Sequence, residues 1–175
     1  MYWNRKHVLV CTAVHCMQKG ANNVAGRLRI ELKRRGLDEG LMVNTCDSID
    51  LCDIGPNIVV YPESVIYSNV KVSDLDDVIA HLQGGPQVER LILAPDTPAE
   101  VNREQFYRAA VSSGDALSAE DFGELAGSFG LDDGWIAEQA RRGFIARKEI
   151  EGVPSIVVTS KARARYRTDD VPSEA

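Results

Sequence analysis

All four cysteines of this chain, Cys11, Cys16, Cys46 and Cys52, precede Asp53, and the remaining two-thirds of its 175 residues holds none. Crowding of this kind calls for a local reason. Two disulfides would supply one in an exported protein. Here the segment Met1-Tyr2-Trp3-Asn4-Arg5-Lys6-His7 is followed by too few apolar residues before Cys11 for a signal-peptide hydrophobic region. A cytoplasmic chain is therefore expected, and in a reducing compartment paired cysteines default to metal ligation. The best apolar stretches, Val8-Leu9-Val10 and Ile58-Val59-Val60-Tyr61, are strand-sized, so no membrane span is expected. With 44% hydrophobic residues and a net charge of -6, the chain can build one full core or two small ones.

The cysteines fall in pairs. Cys11 and Cys16 are spaced C-x4-C, after the β-rich run His7-Val8-Leu9-Val10 and before a helical pattern from Lys19 to Arg35. That helix carries Val24, Leu28, Ile30 and Leu32 on its apolar side and stops at Gly36. A second strand is expected at Leu41-Met42-Val43-Asn44, and Cys46 and Cys52, spaced C-x5-C, follow on a loop. Gly55-Pro56 turns the chain into a third strand over 57–61, Pro62-Glu63-Ser64 turns it back into Val65-Ile66-Tyr67, and Ser73 caps a helix to about Leu82. Strand, helix, strand, hairpin and helix describe an α/β domain with helices on a mixed sheet, thioredoxin-like in outline. Gly84-Gly85-Pro86 closes that unit, and Val88 to Leu93 adds a final apolar segment.

Beyond it the composition changes. The fold class expected is α/β: a thioredoxin-like N-terminal domain over 1–93, a linker over 94–104 centred on Ala94-Pro95-Asp96-Thr97-Pro98, and a small α+β, winged-helix-like module over 105–175. Its helices are expected over Arg103 to Val111, after Ser118, and from Asp132-Asp133 to about Arg142. Strands at Phe144 to Ile150 and Pro154 to Thr159 meet at a Glu151-Gly152 hairpin tip, Ser160 to Tyr166 reads as a basic tail segment, and Thr168 to Ala175 as a frayed end.

In such a domain both cysteine loops fall at the same end of the sheet, which brings four sulfurs together. An iron-sulfur cluster takes four thiolates around two bridged irons, and loops at strand ends supply them together with backbone N–H groups. Structural zinc is the alternative, although zinc sites usually hold tighter pairs. Disulfide or dithiol chemistry lacks its C-x-x-C motif. Ordinary buried cysteines would not explain paired spacing on two loops. His15 reads as an exposed loop residue rather than a ligand.

These residues resemble the thioredoxin-like 2Fe-2S ferredoxins, a family also seen as the small cluster-bearing subunit of NADH dehydrogenases and hydrogenases. The resemblance lies in His7-Val-Leu-Val-Cys11 with its C-x4-C, in Gly20 opening the helix, and in Cys52-Asp-Ile-Gly55-Pro56 running into Val59-Val60-Tyr61-Pro62-Glu63 and Tyr67. It continues through the Asp-rich helix start after Val72 to His81-Leu-Gln-Gly84-Gly85 and Val88-Glu-Arg-Leu91, and spans roughly residues 5–93. It implies a thioredoxin-like fold, a single 2Fe-2S cluster as cofactor, one-electron transfer and often a homodimer. The family usually spaces its second pair C-x3-C with a glycine inside, whereas here Cys46 and Cys52 enclose five residues and no glycine. Counting back four from Cys52 reaches Ser48. Cys11, Cys16, Cys46 and Cys52 are the expected ligands, with Ser48 as the alternative to Cys46, because thiolate is the softer partner for iron.

An electron carrier rather than an enzyme is expected, since neither a nucleotide signature nor a hydrolytic serine, histidine and aspartate set is present. The expected partner is a larger redox enzyme, as electron donor or acceptor, with the C-terminal module docking it or forming a dimer. The basic helix with Arg27, Arg29, Lys33, Arg34 and Arg35 is either a solvated face or a docking surface for an acidic partner. A redox-responsive regulator that binds DNA through Arg141, Arg142, Arg147, Lys148, Lys161, Arg163, Arg165 and Arg167 is the alternative, as is a small subunit of a hydrogenase or dehydrogenase. Glu138, Glu149 and Glu151 among those cations weaken the DNA reading.

Overall fold

The computed structural model describes residues 3–49, 51 and 54–169, and the chain divides into two compact units, Met1–Ala94 and Pro95–Ala175. Among the described residues no helix is long and apolar enough to cross a membrane.

The first unit is a four-stranded mixed sheet ordered β2-β1-β3-β4. Strand β1 (Lys6–Cys11) is interior to it. It pairs parallel with β2 (Leu41–Cys46) and antiparallel with β3 (Ile58–Tyr61), which forms a hairpin with β4 (Val65–Tyr67). Period-two alternation sends Val8 and Val10 fully into the core. Two helices pack in that same core: α2 (Ala21–Arg34) through Val24, Ala25, Leu28 and Leu32, and α3 (Leu75–Leu82) through Leu75, Val78, Ile79 and Leu82. This is a thioredoxin-like arrangement. Gly36, at φ 65°, ends α2 where an L side chain would be strained, and Leu37 donates back to the Leu32 carbonyl at 2.9 Å.

Several local details differ from the sequence expectation. The helical stretch after Cys11 is broken into a short α1 (Val14–Gln18) and α2, with left-handed Gly20 between them. Ile30, assigned to the apolar side, is half exposed, because the five buried positions of α2 already fill its inward-facing stripe. Ser73 does not cap a helix: it lies inside a 3-10 turn, Val72–Asp74, that precedes α3. The apolar segment 88–93 is a 3-10 turn followed by a single bridge from Ile92 to Tyr67 at the sheet edge. The Gly55–Pro56 and Tyr61–Pro62 peptides are both cis.

The second unit runs α4 (Pro98–Ser112), β5 (Leu117–Ser118), α5 (Ala119–Ser128), α6 (Asp133–Arg141), β6 (Ile145–Ile150), β7 (Val153–Val158) and α7 (Ser160–Tyr166), with a sheet ordered β5-β7-β6. Three side chains cap its helices as N-cap acceptors: Ser118 from Asp121 N–H at 3.0 Å, Asp132 from Trp135 N–H at 2.8 Å, and Thr159 from Ala162 N–H at 3.4 Å. Glu151 and Gly152, both at positive φ, turn the β6–β7 hairpin. Phe106, Tyr107, Phe122 and Phe144 are fully buried, and Tyr107 stacks on Tyr166 at 4.6 Å. Most of the expected linker is therefore helix from Pro98 onward, since proline at the first helical position lacks only an N–H that would go unused. Ser160 to Tyr166 is not a tail either, because Ala162 and Tyr166 complete the core.

Candidate metal centre

The three described cysteines lie at the far end of β1 from Lys6. Cys11 is its last residue, and in the parallel register it stands opposite Cys46, the last residue of β2. Cys46 thus ends a strand, where a loop was expected, because β2 continues through Thr45 and Cys46 alongside β1. The chain leaving β1 at Cys11 turns at once into α1, whose inner side carries Cys16. Cys11 and Cys16 are fully buried and form one small packed cluster with Ala21, against which Ala13, Cys46 and Ile49 pack. Three of the four expected ligands thus come together. Cys52 lies outside the described residues. Ser48, the alternative to Cys46, is exposed.

Backbone and side-chain hydrogen bonds tie the segments to one another. Thr12 donates to the Cys46 carbonyl through its backbone N–H at 2.8 Å and its hydroxyl at 3.0 Å. The Cys11 thiol donates to the Asp47 carbonyl at 3.3 Å, and the Cys11 N–H donates to the Asn57 carbonyl at 3.0 Å. Asn57, fully buried at the mouth of β3, donates its side-chain amide to the Leu51 carbonyl at 2.6 Å. Sequence reasoning missed Thr12 and Asn57. The signal for Asn57 was a polar side chain between Gly55-Pro56 and the wholly apolar run Ile58-Val59-Val60.

Among the described residues no group of three or more His, Cys, Asp or Glu side chains is gathered closely enough to hold a metal ion, and Cys52 is not among them. The donor chemistry fits an iron-sulfur cluster: soft sulfur donors on two strand ends and on the short helix after β1, with Cys11 and Cys16 wholly shielded from water. His15, inside the first pair, is half-buried. The titratable groups with shifted pKa values lie elsewhere. His81, buried at the end of α3, has its Nδ1 2.8 Å from the Tyr67 hydroxyl, which also accepts the Val88 N–H at 3.1 Å. Burial pushes the Tyr67 phenol up and the His81 imidazole down, while the Lys6 ammonium bonded to Glu63 lowers that carboxyl. An open cavity of about 430 Å³, lined by Arg29, Leu32 and Lys33 of α2 and Leu41, Met42 and Val43 of β2, contains none of the cysteines.

No family model matches the chain. Among curated proteins it is 32% identical over 96 residues to a 2Fe-2S ferredoxin of Clostridium pasteurianum, an alignment covering 50% of this chain and 94% of that one. It is 32% identical over 106 residues to a 2Fe-2S ferredoxin of Aquifex aeolicus, covering 53% and 93%, and 30% identical over 109 residues to a putative 2Fe-2S ferredoxin of Priestia megaterium, covering 58% and 84%. Among solved structures, the wild-type thioredoxin-like [2Fe-2S] ferredoxin of Aquifex aeolicus aligns with 52% of this chain and 98% of its own, at 31% identity and a TM-score of 0.49.

Proposed function

The chain belongs to the 2Fe-2S ferredoxin family, and from that membership we propose that it holds one 2Fe-2S cluster on Cys11, Cys16, Cys46 and Cys52 and passes single electrons to or from a larger redox enzyme. The observation that carries this reading is the packing of Cys11, Cys16 and Cys46 into one cluster at the ends of two parallel strands. Cys46 is preferred to Ser48 because it packs with the other two cysteines, whereas Ser48 is exposed. When bound, the cluster supplies the one-electron chemistry. Cys11, Cys16, Cys46 and Cys52 would hold it, the burial of Cys11 and Cys16 would keep water from it, and Thr12 fixes the end of β2 beside Cys46.

In this reading the second unit docks the partner. It carries its own aromatic core, so its surface is free to specialise. Its order of helix, strand, two helices and hairpin is winged-helix-like, which favours a second reading as a cluster-controlled DNA-binding regulator. The helix before the hairpin, however, begins with Asp132 and Asp133, and its Arg141 is paired with Glu138, a poor surface for phosphate. Docking to protein is the better supported role.

Visible absorption and electron paramagnetic resonance of anaerobically purified protein, before and after dithionite, test the central claim. A coloured protein that gains a reduced 2Fe-2S signal supports it, and a colourless, zinc-containing protein overturns it. A cluster-dependent shift of duplex DNA at low salt would replace partner docking with the regulator reading.

A further inference from the structure

We propose that Asn57 is the positioning residue of the metal centre, a buried amide that locks the two ligand-bearing segments to each other. The inference rests on the assignment of the cluster to the four cysteines.

Asn57 joins the two segments with different parts of itself. Its backbone carbonyl accepts the N–H of Cys11 at 3.0 Å, which sets the end of β1. Its side-chain amide reaches the other way, to the carbonyl of Leu51 at 2.6 Å, one residue before Cys52. The Leu51 carbonyl also accepts the Ile54 N–H at 3.3 Å, so the chain on both sides of Cys52 is tied to this point. Asn57 thereby ties Leu51, the residue before Cys52, to the end of β1 at Cys11.

The energetics argue that this amide is there for more than folding. Asn57 is fully buried, and its Oδ1 has no hydrogen-bond partner among the described residues. Burying an unsatisfied acceptor is unfavourable, and an apolar side chain of similar size would avoid that cost. What an apolar side chain cannot do is hold the Leu51 carbonyl. That hold matters more here because five residues separate Cys46 from Cys52. A longer loop has more conformations to lose when its thiolate binds iron, and a side-chain tether at its base removes part of that freedom in advance.

The test uses the full-length, cluster-loaded protein with Asn57→Ala and Asn57→Leu. Both are expected to release iron to a chelator about 10- to 100-fold faster than wild type, the usual effect of removing a residue that orients a metal ligand. The reduction potential and the resonance line shape of the reduced cluster should shift in both variants. Asn57→Leu should nevertheless match wild type in the thermal unfolding of the cluster-free protein, which separates positioning from support of the fold. In wild-type holo-protein the Asn57 side-chain amide should exchange with solvent far more slowly than those of exposed Asn22 and Asn23, a readout that does not depend on any variant folding. Wild-type release rates and potential in both variants, or an Asn57 amide that exchanges as freely as those two, would overturn the inference while leaving the cluster assignment standing. A colourless wild type would overturn both.

Discussion

Thr12 grips the carbonyl of Cys46 twice, through its backbone N–H at 2.8 Å and through its hydroxyl at 3.0 Å. The side-chain bond spans 34 residues of sequence and joins the two strand ends that carry Cys11 and Cys46. Replacing Thr12 by Val keeps the shape and the backbone bond and deletes only the hydroxyl. The expected cost is about 1 kcal/mol, roughly 4–8 °C in the melting temperature of a unit of this size. Calorimetry of the cluster-free protein measures it; an unchanged melting temperature would show that the hydroxyl bond contributes nothing to the fold.

The two candidates for the fourth ligand make opposite predictions. Cys46→Ser is expected to cost at least about tenfold in cluster retention and to change the visible spectrum, since oxygen replaces a sulfur donor. Ser48→Ala, at an exposed position, should leave iron content and spectrum unchanged. Iron and sulfide analysis of the two variants side by side decides between them, and the reverse pattern would move the ligand to Ser48.

His81 gives the first unit a pH-dependent stability of definite sign. Its imidazole is buried against the Tyr67 hydroxyl, with Lys6 and Glu63 as the charged groups around it, and burial lowers its pKa from the ordinary 6.5. The unfolded chain therefore binds a proton more readily than the folded one. The stability associated with neutral His81 is fully present above 6.5 and declines as pH falls from there toward the folded pKa. Urea unfolding across that range should show this decline in wild type and a flatter profile in His81→Gln. Equal slopes in the two proteins would exclude His81 as the source.

Because the second unit has its own core, damage to it should not reach the cysteines. Phe106 is fully buried and meets Tyr107, Phe122, Phe129 and Trp135 edge-on. Phe106→Ala should cost about 3–5 kcal/mol, a large share of the stability of so small a unit. Near-ultraviolet circular dichroism of the aromatic residues should collapse in this variant, while the visible spectrum of the cluster-loaded protein stays as in wild type. Loss of the visible spectrum together with the aromatic signal would mean that the units do not fold independently.

Elements whose cause is local were legible. The β-rich run ending at Cys11, the stop at Gly36, the cap at Ser118 and the turn at Glu151-Gly152 each depend on residues within one turn or one strand. The misreadings arose where a residue has two local meanings. Pro98 fits a linker as well as a helix start, and here it starts α4. Ile30 is apolar and fits the core pattern, but the helix already presents enough apolar surface without it. The basic residues of 160–166 hid Ala162 and Tyr166, whose burial depends on an aromatic partner in α4, far away in sequence.

The centre divides along the same line. Sequence alone supplied the candidate donors, their spacing in pairs and the expectation that they lie near strand ends, because these follow from residue chemistry and short-range periodicity. Only the tertiary structure decided that Cys46 faces Cys11 across a parallel pair, that Ser48 is exposed, and that Thr12 and Asn57 hold the segments together. Each of these is a matter of register or of hydrogen bonding between strand ends, and it is settled by which strands share a core, a long-range property that no single segment of the chain encodes.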